Sequence, residues 1–226
     1  MLVGSHAEGN ANQASDIDLI AVEPSEWRGR LRTGELEVQG RIIGVIYIGA
    51  KQLRRRIAAL DTVYRAGTYG WDGLATRLSE AVLVYDTDGV GCALIEEARR
   101  YQPSAGALRE VARAALTFYQ DVMGSLNQRD PETAILMARQ AATIAVDCFL
   151  LRHGFRSLKP KWHFRRLRQV DAPSVIVRYR RVLGLDEATD HRQALRALAE
   201  VDRLLCEVLQ IDNIQEFERS PLWARC

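Results

Sequence analysis

The apolar positions of this chain follow two different rhythms, and the rhythm changes near residue 102. Over the first hundred residues they come in short bursts. Met1 to Val3 reads as the end of a strand feeding a Gly-Ser turn, and Ser15 to Val22 reads as a second strand. Gly34 to Val38 and Arg41 to Ile48, rich in β-branched residues, read as a hairpin about Gln39-Gly40. Gln52 to Leu60 predicts a helix with Arg54, Arg55 and Arg56 on its wet side. Gly67 to Gly73 reads as a loop. Ala81 to Tyr85 predicts a short strand ended by the turn residues Asp86-Thr87-Asp88-Gly89, and Val90 to Tyr101 a second helix.

Beyond Pro103-Ser104 the period becomes helical and sustained. Leu108, Val111, Ala112, Ala115, Tyr119, Val122 and Leu126 recur on one stripe. Asp130-Pro131 supplies an N-cap and an N1 proline for the next helix, which runs through Ile135, Ala138, Ala142, Val146 and Phe149 and stops at Gly154. Lys161 to Val170 predicts a short helix, and another starts near Pro173 and stops before Gly184. Asp190 with Gln193 forms a capping-box pattern for a last helix to about Gln210, with Leu195, Leu198, Val201, Leu205 and Val208 as its stripe. The expected fold class is α+β, with a small mixed sheet over residues 1–102 and an all-helical bundle over 103–226. The linker is expected at Gln102 to Gly106.

Composition narrows the class of protein. The 226 residues are 47% apolar with only six prolines, ample for packed cores and unlike a disordered chain. No apolar run is read as approaching the roughly 20 residues that cross a bilayer, and no signal-peptide pattern opens the chain, so the cytoplasm is the expected location. Cys92, Cys148, Cys206 and Cys226 are widely spaced, and His6, His153, His163 and His191 form no ligand pair, which argues against a transition-metal site. Net charge is only +2, but Arg152 to Arg181 holds ten Lys/Arg against the single acid Asp171.

Chemistry concentrates at the start. Val3-Gly4-Ser5-His6-Ala7-Glu8-Gly9 is a turn in which glycine lets backbone N–H groups approach an anion, and a helix beginning there would favour a phosphate. Ser15-Asp16-Ile17-Asp18-Leu19-Ile20 follows after a spacer long enough for a short helix. Residues i and i+2 of a strand share a face, so Asp16 and Asp18 should point together while Ile17 and Leu19 point into a core. Two carboxylates on one rigid face invite a hard cation such as Mg²⁺, which binds one or two carboxylates together with substrate phosphates.

Gly4-Ser5, Ala7 and Gly9, then Ser15-Asp16-Ile17-Asp18-Leu19, resemble the nucleotidyltransferase signature of the DNA polymerase beta superfamily. A small sheet followed by a helical bundle is similar to the layout of kanamycin-type nucleotidyltransferases, and Val82 to Asp86 and Lys161-Trp162 add short matches. The resemblance implies a site in the cleft between the domains. Asp16 and Asp18 would hold Mg²⁺, Gly4 and Ser5 would cradle the β- and γ-phosphates of a nucleoside triphosphate, and Lys161 with a nearby Arg would neutralise them. The implied activity is transfer of a nucleoside monophosphate to a hydroxyl acceptor, with an aminoglycoside-like small molecule as the leading class. The chain departs from the pattern in three places. The third carboxylate is expected at Gly44 or Ile46, and neither residue can bind a metal; Glu35 and Glu37 lie on the other strand of the hairpin. Glu8 stands where relatives often carry a base, and its charge opposes a triphosphate. Relatives usually carry a helix and further strand ahead of the Gly-Ser turn, and a missed upstream start would explain their absence here.

The departures leave an alternative of a different class, a catalytically degenerate descendant that binds a nucleotide, a protein or RNA. The basic segment Arg152 to Arg181, interleaved with Phe155, Trp162, Phe164 and Tyr179, admits a nucleic-acid surface as well as a solvated helical face with aromatics packed inward.

Overall fold

The short apolar bursts become a four-stranded mixed sheet. A computed structural model describes residues 1–23, 29, 31–65 and 73–185. Its strands are β1 (Leu2–Val3), β2 (Ile17–Glu23), β3 (Arg32–Val38) and β4 (Arg41–Gly49), in spatial order β1-β2-β4-β3. β1 runs antiparallel to β2, β2 parallel to β4, and β3 antiparallel to β4. The hairpin turns at Gln39-Gly40, both with positive φ, which is the backbone a tight two-residue turn demands. Between β1 and β2 sits α1 (Gly4–Ala7), the short helix expected there.

The remaining helices are α2 (Ala50–Ala58), α3 (Leu60–Arg65), α4 (Leu74–Arg77), α5 (Val90–Arg100), α6 (Ala105–Asn127), α7 (Pro131–Arg152), α8 (His163–Gln169) and α9 (Pro173–Leu183). The class is α+β, as the two rhythms require. The caps follow the sequence. Ser104 accepts from the Ala107 N–H at the start of α6, and Asp130 accepts from Thr133 N–H ahead of Pro131 in α7. The loop over residues 67–72, including Trp71, and the helix expected from Asp190 to Gln210 lie outside the described residues.

Met1 to Tyr179 is one compact unit; Arg180 to Cys226 is a second, of which the end of α9 and residues 184–185 are described. The change of rhythm at residue 102 therefore falls inside the first unit. There the buried Arg156 guanidinium donates to Tyr101 O at 2.8 and 3.1 Å and to Gln102 Oε1 at 3.0 Å, and Tyr64 OH donates to Arg156 O at 2.7 Å. Asp61 accepts from Tyr101 OH and from Ser104 N–H across the same segment.

Four local expectations are corrected. The first concerns β2. Ile20, two residues on from Asp18 and so on its face, is 1% exposed, and Ile48 in the next strand is fully buried. Ile17 and Leu19 are only half-buried. The core thus lies on the acid's own face, farther along the strand, where helices cover the sheet. Second, Ala81 to Tyr85 is not a strand. Val82 alone exchanges hydrogen bonds with Leu2, at 2.8 and 2.9 Å, and Val82 to Tyr85 are exposed. Third, the α6 stripe is core only at its start. Ala107 and Val111 are buried, while Leu116, Tyr119, Met123 and Leu126 are exposed where α6 runs on beside α7. Fourth, α7 is by length and composition apolar enough to cross a bilayer, with a mean hydropathy of 1.6 over its most apolar stretch. It is buried chiefly along its second half, from Ile144 to Leu151, while Ile135 and Leu136 are exposed. It lies along α6, and its buried Asp147 accepts from His163 Nε2 at 2.7 Å while Tyr179 OH meets Nδ1 at 3.0 Å.

Candidate functional site

The site is built where α1 begins and β2 begins. Gly4 has φ +73°, open to glycine and costly for any other residue. A methyl group at this position would also fall well inside contact distance of Asp18 Oδ2. The Gly4-Ser5 turn and the carboxylate of β2 are thus packed against each other with only a glycine's thickness between them. Ser5 is buried beside it. The spacer is ordered by its own polar groups: Asn10 N–H donates to Ser5 O at 2.7 Å, Ala14 N–H to Asn12 Oδ1 at 3.0 Å, and Asn12 N–H to Ser15 Oγ at 2.9 Å. His6 Nε2 lies 3.5 Å from Ser15 O.

The two aspartates are not equivalent. Asp18 lies within β2 and is half-buried; Asp16 precedes the strand and is exposed. Asp18 pairs in register with Gly44 of β4, and Gly44 pairs in turn with Glu35 of β3. Register partners share a face, so Asp18, Gly44 and Glu35 form one row across three strands. The middle place, where the third acid is expected, is empty of side chain; a methyl at Gly44 would lie 3.7 Å from Asp18 Oδ1. A hollow of ≈ 350 Å³ opens over this row, lined by Asp18, Glu35, Thr33 and Gly44.

Charged groups from three other elements converge on the same turn. Arg77, the last residue of α4, places Nη1 3.5 Å from Asp18 Oδ2. Its Nε is buried and has no hydrogen-bond partner among the described residues. Glu8, the acid whose charge opposes a triphosphate, is neutralised: Arg166 of α8, itself 3% exposed, donates to Glu8 Oε2 at 2.8 Å and to Glu80 Oε2 at 3.2 Å. Burial pushes the Glu80 carboxyl up to about 7, the Glu8 charge and a hydrogen bond with Glu8 add to this, and Arg166 and Lys159 oppose it. Arg165 donates to Gly9 O at 3.1 Å, so α8 holds the far side of the turn twice.

Comparison with solved structures aligns the chain with the crystal structure of a nucleotidyltransferase-like protein from Exiguobacterium sibiricum 255-15, at 16% identity and a TM-score of 0.47. The alignment covers 77% of this chain, and the chain spans 56% of that protein's length. No family model matches the chain. No curated protein matches it.

The structure brings Gly4, Ser5 and Asp18 together, and places Asp16 just outside the strand that carries Asp18. Lys161 is exposed, with Nζ 4.9 Å from the centre of the Trp162 ring, while Lys159 is the half-buried lysine of that segment. The basic run from Arg152 to Arg181 does not form one surface, since Arg156 and Arg166 are buried in structural pairs. Sequence reasoning missed Arg77, Lys159, Arg166 and Glu80. Arg166 and Lys159 lay within a basic run and carried no individual mark. Arg77 and Glu80 lie in a polar stretch after a glycine loop, and no spacing rule links either to Gly4 or Asp18.

Proposed function

We propose that this site binds a nucleoside triphosphate with Mg²⁺ and transfers the nucleoside monophosphate to a hydroxyl acceptor. The observation that carries the reading is the contact between Gly4 and Asp18, which puts a backbone suited to phosphate against a carboxylate suited to a hard cation. Among the described residues no three His, Cys, Asp or Glu side chains gather as a metal site. Two carboxylates with oxygen donors still suit Mg²⁺, which ordinarily completes its shell with substrate phosphates and water. Asp16 and Asp18 would hold it, and when bound it would offset charge developing on the phosphate oxygens.

The rest falls to the chain itself. Gly4 and Ser5 bring main chain to the phosphates, and Lys161 is the exposed lysine we assign to the triphosphate tail. The acceptor hydroxyl needs a proton acceptor in reach. Gly44 offers none, and Glu35 is the carboxylate that the register puts on the same row. The hollow over the row falls within the usual size of a small-molecule site. Its rim carries the exposed Glu35, with Glu37 two residues along the same face of β3, a charge suited to a cationic acceptor such as an aminoglycoside.

A second reading is favoured by Gly44 alone: nucleotide binding without turnover. Calorimetry with MgATP and MgGTP, followed by a pyrophosphate-release assay over a panel of aminoglycosides, separates the two. Pyrophosphate release that depends on Asp18 supports transfer. Binding without release in any combination leaves the second reading, and no binding of either nucleotide refutes both.

A further inference from the structure

Arg77 contacts the same carboxylate oxygen that the Gly4 backbone crowds. A guanidinium offers five donors in a planar fork, and the single contact with Asp18 engages Nη1. Nε is buried and unpartnered among the described residues. The ion pair itself is long at 3.5 Å and about one quarter exposed on each side, a geometry far from a bidentate lock. A second cation stands close by. Burial pushes the Lys159 ammonium down, and the charges of Arg77 and Lys161 push it further, while Glu8 and Asp18 oppose the shift. Glu8 is already committed to Arg166, and the Arg77 guanidinium is the cation in contact with Asp18. Like charges gathered at a glycine turn, with a donor to spare, form a receptor for a polyanion.

We propose that Arg77 is a polyphosphate-binding residue of this site, and that it exchanges Asp18 for a phosphate when a divalent cation takes the carboxylate. The proposal rests on the reading of the site as a triphosphate site. It adds that Arg77 and the cation compete for one oxygen pair, so that the metal is bound well only together with a phosphate that gives Arg77 another partner.

The test uses the full chain, inorganic tripolyphosphate without metal, and Mn²⁺ without phosphate. Losing a hydrogen bond made by a charged group costs about ten- to a hundredfold in affinity, so Arg77→Gln should weaken tripolyphosphate binding by that factor in calorimetry. Freed of its competitor, Asp18 should bind Mn²⁺ tighter in Arg77→Gln by about two- to fivefold, the worth of a partly exposed ion pair, as read by the paramagnetic signal of free Mn²⁺. Asp18→Asn in the same background should abolish that gain. Arg77→Lys, which keeps the charge and the fold, should leave Mn²⁺ binding as in the parent protein. Tripolyphosphate affinity unchanged in Arg77→Gln overturns the proposal, as does Mn²⁺ affinity unchanged in that variant, or a parent protein that binds no tripolyphosphate. Absence of pyrophosphate release alongside Arg77-dependent tripolyphosphate binding refutes nucleotidyl transfer and leaves the proposal standing.

Discussion

Gly4→Ala is the sharpest probe of the site's geometry, because two separate costs meet at one atom and a second substitution removes only one of them. At φ +73° an alanine is in the left-handed region, which costs about 1–2 kcal/mol for any residue with a Cβ. The added methyl also collides with Asp18 Oδ2, the atom that accepts from Arg77. Asp18 must rotate away. A side chain driven about 30° off its rotamer costs about 0.5–1.5 kcal/mol, and the partly exposed bridge to Arg77 is worth at most about 1 kcal/mol. Gly4→Ala should therefore cost about 1.5–4.5 kcal/mol in total. In an Asp18→Ala background the collision vanishes and only the backbone strain of about 1–2 kcal/mol remains. Urea unfolding of the four proteins measures the coupling, which should be about 0.5–2.5 kcal/mol, against the roughly 0.3–0.5 kcal/mol scatter of independent sites. Equal costs of Gly4→Ala in both backgrounds would show that the turn and the carboxylate do not touch, and the site as described would fall.

Three further outcomes follow from named contacts. Glu80 has a folded-state pKa raised from 4.5 to about 7, so it binds a proton more readily folded than unfolded; its contribution is complete below the unfolded value and is lost as pH rises through about 7. Stability should thus fall by about 1–3 kcal/mol between pH 5 and 7.5, and Glu80→Gln should flatten this slope in urea titrations; an unchanged slope would place the proton elsewhere. In a transfer assay Glu35→Gln should slow turnover by about 10²–10⁴-fold if Glu35 is the base, Glu37→Gln should matter far less, and Gly44→Asp should raise turnover; equal effects of the two glutamine variants would remove Glu35 from the role. Arg156→Met strips charged donors from Tyr101 O and Gln102 Oε1 and should cost about 2–4 kcal/mol, whereas a loss below about 0.5 kcal/mol in urea unfolding would mean that residues 101–102 are not pinned.

What the sequence disclosed and what it hid divide along physical lines. The hairpin at Gln39-Gly40, the cap at Asp130-Pro131 and the turn at Gly4 were legible because each depends on neighbours in the chain. The helix stop at Gly154 was legible for the same reason, since its φ of +94° suits glycine. The side on which β2 meets its core was not. Alternation says that Asp18 and Ile20 share a face, but which face the helices cover depends on packing that no local pattern encodes. The apolar run Val82 to Tyr85 misled for a related reason: hydrophobicity without a pairing partner does not make a strand. The basic run misled in the opposite direction. Arg156 and Arg166 looked like solvated surface charge, yet both are buried against acceptors more than fifty residues away in the chain.

The acid at Glu8 shows how such distant pairs decide what a motif can do. Taken from the sequence, its charge next to Gly4 and Ser5 argues against a triphosphate. In the fold Arg166 donates to its carboxylate at 2.8 Å, and Glu80 shares the same guanidinium. Burial and the Glu8 charge push the Glu80 carboxyl up to about 7, so Arg166 faces less than two full negative charges there at pH 7. On the Asp18 side of the turn Arg77 pairs with Asp18, and Lys159 feels the charges of both Glu8 and Asp18, so cations and acids together set the field there. The acid that looked like a defect of the motif is the anchor that fastens α8 to the turn.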